Sequence, residues 1–88
     1  MFDRVELGLR VLNQEMPNGV PLRPMGRIPV IARLVVREGV ELRPGMAIRW
    51  TRTHVMVCLE DHSAQPVRAE YLWLQAVDVV RLLAVPSS

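Results

Sequence analysis

Ile28-Pro29-Val30-Ile31-Ala32-Arg33-Leu34-Val35-Val36-Arg37-Glu38-Gly39-Val40-Glu41-Leu42-Arg43 is rich in β-branched residues and interrupted once, at Glu38-Gly39. Between Ile28 and Arg37 the side chains alternate. Ile28, Val30, Ala32, Leu34 and Val36 fall on one face, and Ile31, Arg33, Val35 and Arg37 fall on the other. Successive strand side chains point to opposite faces, so the first, wholly apolar set is the expected core face. Glu38-Gly39 has the chemistry of a tight turn, which places Val40 to Arg43 on a returning partner strand.

Toward the C-terminus, Pro44-Gly45 is expected to break the chain again. The β-rich run from Ala47 to Leu59 reads as one bent strand or as two strands hinged near Thr51 to Thr53. Within it Val55, Val57 and Leu59 share the expected core face, while Arg52, His54, Met56, Cys58 and Glu60 share an outer face that is at least partly exposed. Asp61 to Pro66 is a polar loop. Val67 then opens a strand that runs through Trp73, Gln75-Ala76-Val77-Asp78 form a turn or single helical turn, and Val79 to Leu83 form a short final strand. A short sheet hides its edges by curling and closing. The expected fold is therefore mainly β: a small, partly closed, SH3-like or OB-like barrel of about five strands, an analogy of architecture that rests on no family motif.

Toward the N-terminus, residues 2–16 carry two competing patterns. Phe2, Val5, Leu9, Leu12 and Met16 fall on one helical stripe, Asp3 and Glu6 have capping-box spacing, and Pro17 stops the element. Against this, Val5, Leu7, Leu9 and Val11 alternate with polar or small residues, and Gly8 costs about 1 kcal/mol inside a helix. The helix is the preferred reading, which would make the fold α+β. Residues 17–27 hold three prolines and two glycines and are expected to form an ordered loop without regular structure. The chain is read as one domain over residues 1–88, with a barrel-like core at 28–83 and a tail at 84–88.

At 88 residues the chain can bury only about 60–65% of its unfolded surface, enough for one modest core and not for a deep substrate cavity beside it. No apolar run approaches the roughly 20 residues that span a bilayer, and Met1-Phe2-Asp3-Arg4 lacks the apolar stretch of a secretory signal. With one cysteine, Cys58, no internal disulfide forms, and a cytoplasmic location is expected. The net charge is +2 from eleven arginines, no lysine and nine acids. An arginine-only basic set suits phosphate and acidic partners, yet it also follows from a GC-rich genome, and the scattered acids leave no block of like charge.

His54, Cys58 and His62 are spaced by four. That spacing aligns metal ligands on a helix. On a strand, positions four apart stand roughly 13 Å from one another, so no metal is expected. Cys58 lies between Val57 and Leu59 without an activating group, and Glu60 and Asp61 fit a turn better than an acid–base pair. Single glycines exclude a phosphate-binding loop. No enzyme, cofactor or small-molecule substrate is expected. Tyr71 and Trp73 share a face of the late strand and are expected in the core or at the barrel closure.

By alternation Trp50 shares a face with Arg52 and His54, an arrangement suited to stacking on bases or docking a peptide. Val11, Met25, Ile31, Val35 and Met56 are a surplus of apolar residues for one small core, and exposed apolar patches mark interfaces. The expected function is a non-catalytic protein-interaction or self-associating adaptor module. The alternative is a nucleic-acid-binding barrel using Trp50, Arg52 and His54 with Arg33, Arg37 and Arg49.

Overall fold

The computed structural model describes residues 10–21, 23–63 and 65–82. The chain forms β1 (Ile28–Val36), β2 (Gly39–Trp50), β3 (His54–Asp61), β4 (Arg68–Gln75) and β5 (Val79–Arg81), with a 3-10 turn at Ala76–Asp78 between the last two strands. They make one antiparallel five-stranded sheet in the order β4-β3-β2-β1-β5. Its outermost strands do not pair with each other, so the sheet is not closed into a barrel by strand pairing.

The β1–β2 hairpin forms as its sequence dictates, with the turn one residue earlier than expected. Val36 pairs with Gly39, so Arg37-Glu38 make the turn and Gly39 opens β2 with a φ of 142°, a conformation that a side chain disfavours. The expected break at Pro44-Gly45 does not occur, and β2 runs straight through it. The ladder explains why. On β1, the backbone groups of Arg33 and Val35 bond residues away from β2, so the alternate residues Val30, Ala32 and Leu34 carry the bonds to β2. Pro44 lies opposite Ile31, between those bonded positions, and its missing N–H removes no bond of this ladder.

The core is the face read from the alternation. Val30, Ala32, Leu34 and Val36 of β1 meet Ala47 of β2, Val57 and Leu59 of β3, and Leu72 and Leu74 of β4, with Val11 added from the N-terminal segment. Leu34, Leu72, Leu74 and Val57 are fully buried, each contributing about 1.5–3 kcal/mol through removal from water.

Residues 2–9 of the expected N-terminal helix lie outside the described residues. Arg10 has helical backbone, but Val11 to Met16 are turn and extended chain, so the helix reading is corrected there. Pairing decides the outcome. The Leu12 amide donates to the Val35 carbonyl at 2.7 Å, and the Glu15 amide donates to the Trp73 carbonyl at 3.0 Å. Asn13 adds side-chain bonds to the Val35 amide and the Arg33 carbonyl, both 2.9 Å. Residues 12–15 thus form a strap joining the outer edge of β1, beyond the reach of β5, to the outer edge of β4. Residues 17–27 lack regular structure where described, as expected, and Met25 anchors their end by donating its amide to the Ile48 carbonyl at 2.7 Å.

Candidate protein-docking surfaces

Trp50, Arg52 and His54 do not share a strand face, because β2 ends at Trp50, β3 begins at His54 and the turn between them holds Arg52. The ladder between β2 and β3 shifts by one residue between Ala47 and Arg49, which reverses the alternation beyond it. Trp50 therefore pairs with Val55 and packs half-buried against the core, with its ring beside Gly26. Arg52 is exposed in the turn between β2 and β3. The His54 side chain, 11% exposed, faces the strap.

There His54 joins a compact polar cluster. Its Nε2 lies 2.9 Å from Glu15 Oε2 and its Nδ1 lies 2.7 Å from Thr53 Oγ1. A carboxylate only accepts, so Nε2 carries the proton and, in the neutral ring, Nδ1 accepts from the Thr53 hydroxyl. Gln75 Nε2 donates to the other oxygen of Glu15 at 2.7 Å. The hydrogen bond from Gln75, then that from His54, hold the Glu15 carboxyl below its ordinary value of 4.5, against a smaller opposing effect of burial. The cluster borders an open cleft of about 600 Å³ lined also by Arg52 and Pro17-Asn18-Gly19.

A hydroxyl, an imidazole and a carboxylate in sequence have the outline of a nucleophile, a base and its orienting acid. Acyl transfer also needs donors aimed at a developing oxyanion. The amides nearest the hydroxyl, those of Thr53 and His54, both donate to Thr51 Oγ1 at 3.2 and 3.0 Å. The cluster is better suited to fastening the strap and the β2–β3 turn to the start of β3 and the end of β4.

The remaining predicted site residues are dispersed. Arg33 Nη1 pairs with Asp78 Oδ1 at 3.2 Å, and Arg49 Nη1 donates to the Pro21 carbonyl at 3.0 Å. Arg37 is exposed in the β1–β2 turn, whereas Arg52 lies past the far end of β2. Outside this set, Arg10 and Arg43 both approach Glu41, at 3.4 and 3.8 Å. The arginines are thus spread over the molecule and interleaved with acids.

The outer side of β2, β3 and β4 is largely covered. Ile48, Cys58 and Trp73 are buried, yet none of them belongs to the main core cluster. The expectation that Cys58 lies on an exposed outer face is corrected: Cys58 is 3% exposed, and the loop after the strap is fastened to β2 by the bond from Arg49 to the Pro21 carbonyl. Trp73 and Tyr71 do share a face, but it is this outer one, and Tyr71 is 56% exposed. Met16, Met56, Tyr71 and Trp73 border a depression of about 450 Å³.

The outer side of β5, β1 and β2 is different. Ladder register places Val80, Ile31 and Pro44 in one row across three strands, Arg33 beside Leu42 in the next, and Val35 beside Val40 in a third. Val40, Leu42 and Val80 are 53%, 66% and 62% exposed, and Ile31 and Val35 are half-buried. An antiparallel sheet with one solvated face ordinarily presents polar residues there. Of the apolar surplus noted in the sequence, Ile31 and Val35 belong to this face, Val11 is core, Met25 is exposed and Met56 is half-buried. Val40, Leu42 and Val80 were missed. The signal that finds them is the hairpin register itself, which sets Val40 beside Val35.

No helix among the described residues is long and apolar enough to cross a membrane, and no group of three or more His, Cys, Asp or Glu among them could hold a metal ion. Comparison of the chain with protein-family models, with curated proteins and with solved structures gives no match.

Proposed function

We propose that this is a non-catalytic protein-interaction module of SH3-like architecture that docks a partner protein on the outer face of β5, β1 and β2. The single observation that carries the reading is the apolar composition of that face at Ile31, Val35, Val40, Leu42 and Val80. Contiguous exposed apolar surface on a soluble domain favours a protein partner. The strand order, with a 3-10 turn before a short closing strand beside β1, supports the architectural reading over an OB-like one. Arg33, held by Asp78 among these apolar side chains, supplies a fixed cation for partner selection. Nucleic-acid binding is the weaker reading because the arginines are dispersed and interleaved with acids.

The test compares wild type with Leu42→Glu as immobilised baits. The reading expects a defined partner that is retained by wild type and lost from the variant while circular dichroism is unchanged. Binding to a generic nucleic acid with micromolar affinity at physiological salt, abolished by Arg52→Ala, would overturn it.

A further inference from the structure

We infer that a second copy of this chain adds to the free edge of β4, joining two sheets across a two-fold axis at Ala69. The inference uses a surface separate from the apolar face above. It begins with the place where the strap leaves β4. Gln14 lies opposite Leu74 and the Glu15 amide bonds the Trp73 carbonyl. Continued one residue at a time, this antiparallel register puts Met16 opposite Leu72 and Pro17 opposite Tyr71. Pro17 has no N–H to donate, and the chain departs there into the loop. Among the described residues, the outward backbone groups of Tyr71 and Ala69 therefore continue the edge without a strand beside them.

Which groups point outward follows from the bond to Trp73. The N–H and C=O of one residue in a strand point to the same side, and the side reverses at each step. Trp73 presents its carbonyl away from β3, so Tyr71 and Ala69 do the same, and the β3–β4 ladder has no bulge to alter the phase. An exposed edge of this kind is a template for pairing with another chain.

The side chains select a second copy as the occupant. A two-fold axis at Ala69 sets Ala69 opposite its own copy, Arg68 opposite Glu70 of the other chain, and Val67 opposite Tyr71 of the other chain. Each arginine thereby meets a carboxylate, twice over by symmetry, in the closely spaced type of pair where opposite charges favour association. On the other face, Val67 and Tyr71, 47% and 56% exposed, cover one another. A two-fold axis at Tyr71 would instead set Ala69 against Trp73, whose carbonyl already serves the strap. An axis at Glu70 would oppose two like charges. The Ala69 register alone matches charge with charge, leaves the strap in place, and is isologous as a two-fold interface requires.

Sedimentation velocity of the purified chain, from about one to a hundred times a micromolar concentration, tests the inference, because weak strand-addition dimers form in that range. A dimer is expected. Arg68→Glu and Glu70→Arg should each raise its dissociation constant at least tenfold, and the doubly reversed variant should restore it, with melting temperatures showing that all three are folded. Ala69→Pro, which deletes only an outward N–H, should also give a monomer. A wild type that stays monomeric throughout overturns the inference, and so does a double reversal that fails to restore association. Association that survives both single reversals but is lost in Leu42→Glu overturns it too, and assigns self-pairing to the apolar face. Loss of partner capture in Leu42→Glu with the dimer intact leaves both proposals standing.

Discussion

A Cβ at Gly45 would stand 2.8 Å from the Cys58 carbonyl oxygen, from Val57 Cγ1 and from Leu59 Cδ2. Two of these atoms belong to side chains buried in the core and the third to backbone, so none yields easily. Gly45→Ala is expected to cost about 1–3 kcal/mol as overpacking and to lower the melting temperature by roughly 5–20 °C. A melting temperature within a couple of degrees of wild type would show that β2 and β3 can separate there cheaply. The sequence marks Gly45 as a chain breaker because local propensity is all that a dipeptide displays. The close approach of β3 is a contact across the sheet and leaves no local trace. Val57 is the opposite case: its alternation with Val55 and Leu59 identified the core face correctly, since that register is set within one strand. Glu15 belongs to neither class, being neither periodic nor locally constrained, and it acquires its role only when His54 and Gln75 converge on it. Its depressed carboxyl contributes stability that is fully present above the ordinary value of 4.5 and is lost as pH falls through the lowered folded value. Glu15→Gln should therefore unfold at lower urea than wild type at pH 7, and the gap should narrow as the buffer is taken below pH 4. A gap unchanged across that range would remove Glu15 as the source.

The strap is an element that no periodicity could announce, because residues 12–15 are held by bonds to β1 and β4 rather than by their own pattern. Asn13 makes most of its attachment to β1: its amide bonds the Arg33 carbonyl and Asp78 Oδ2, and its oxygen accepts from the Val35 amide. Asn13→Ala leaves the half-buried Val35 amide without that acceptor, at an expected cost of about 1–3 kcal/mol. Amide hydrogen exchange should show faster exchange at Val35 and Leu12, with the centre of the β1–β2 hairpin still protected. Protection unchanged at both would mean that Val11, packed in the core, anchors the strap alone. The bulge at Ala47 to Arg49 is a second feature hidden at this level. A strand that gains one residue against its partner reverses its alternation, so a count of twos from Ala47 puts Trp50 on the outer side, and a count back from His54 fails as well because it crosses the turn between β2 and β3. The β-branched runs were legible as strands, and so was the 3-10 turn before β5, because such runs are local signals, whereas the Pro44-Gly45 breaker misled because the ladder of β2 tolerates it.

Across the molecule the charges are spread and interleaved in sign, while the outer face of β5, β1 and β2 sets Val40, Leu42 and Val80 exposed beside Ile31 and Val35, and the two features predict different responses to salt. Arg10, Arg33 and Arg43 each lie within 4.0 Å of an acid, and the net charge is only +2. A protein that held nucleic acid by several phosphate contacts would lose about 10³–10⁵ in affinity between 50 and 200 mM salt. Docking on Ile31, Val35, Val40, Leu42 and Val80 removes apolar area from water, which such a change in salt barely affects. Partner binding is thus expected to vary less than about threefold over that range, far below the loss set by counterion release. Leu42→Glu should abolish the binding while moving the melting temperature by only a few degrees, because surface substitutions usually stay within about 0.5 kcal/mol. Leu34→Glu reads the opposite side of the same sheet: Leu34 is fully buried, and an unpaired carboxylate there should unfold the domain. If instead Leu42→Glu unfolds the chain and binding falls steeply with salt, the outer face of β1 and β2 is part of the core and the partner is held by charge.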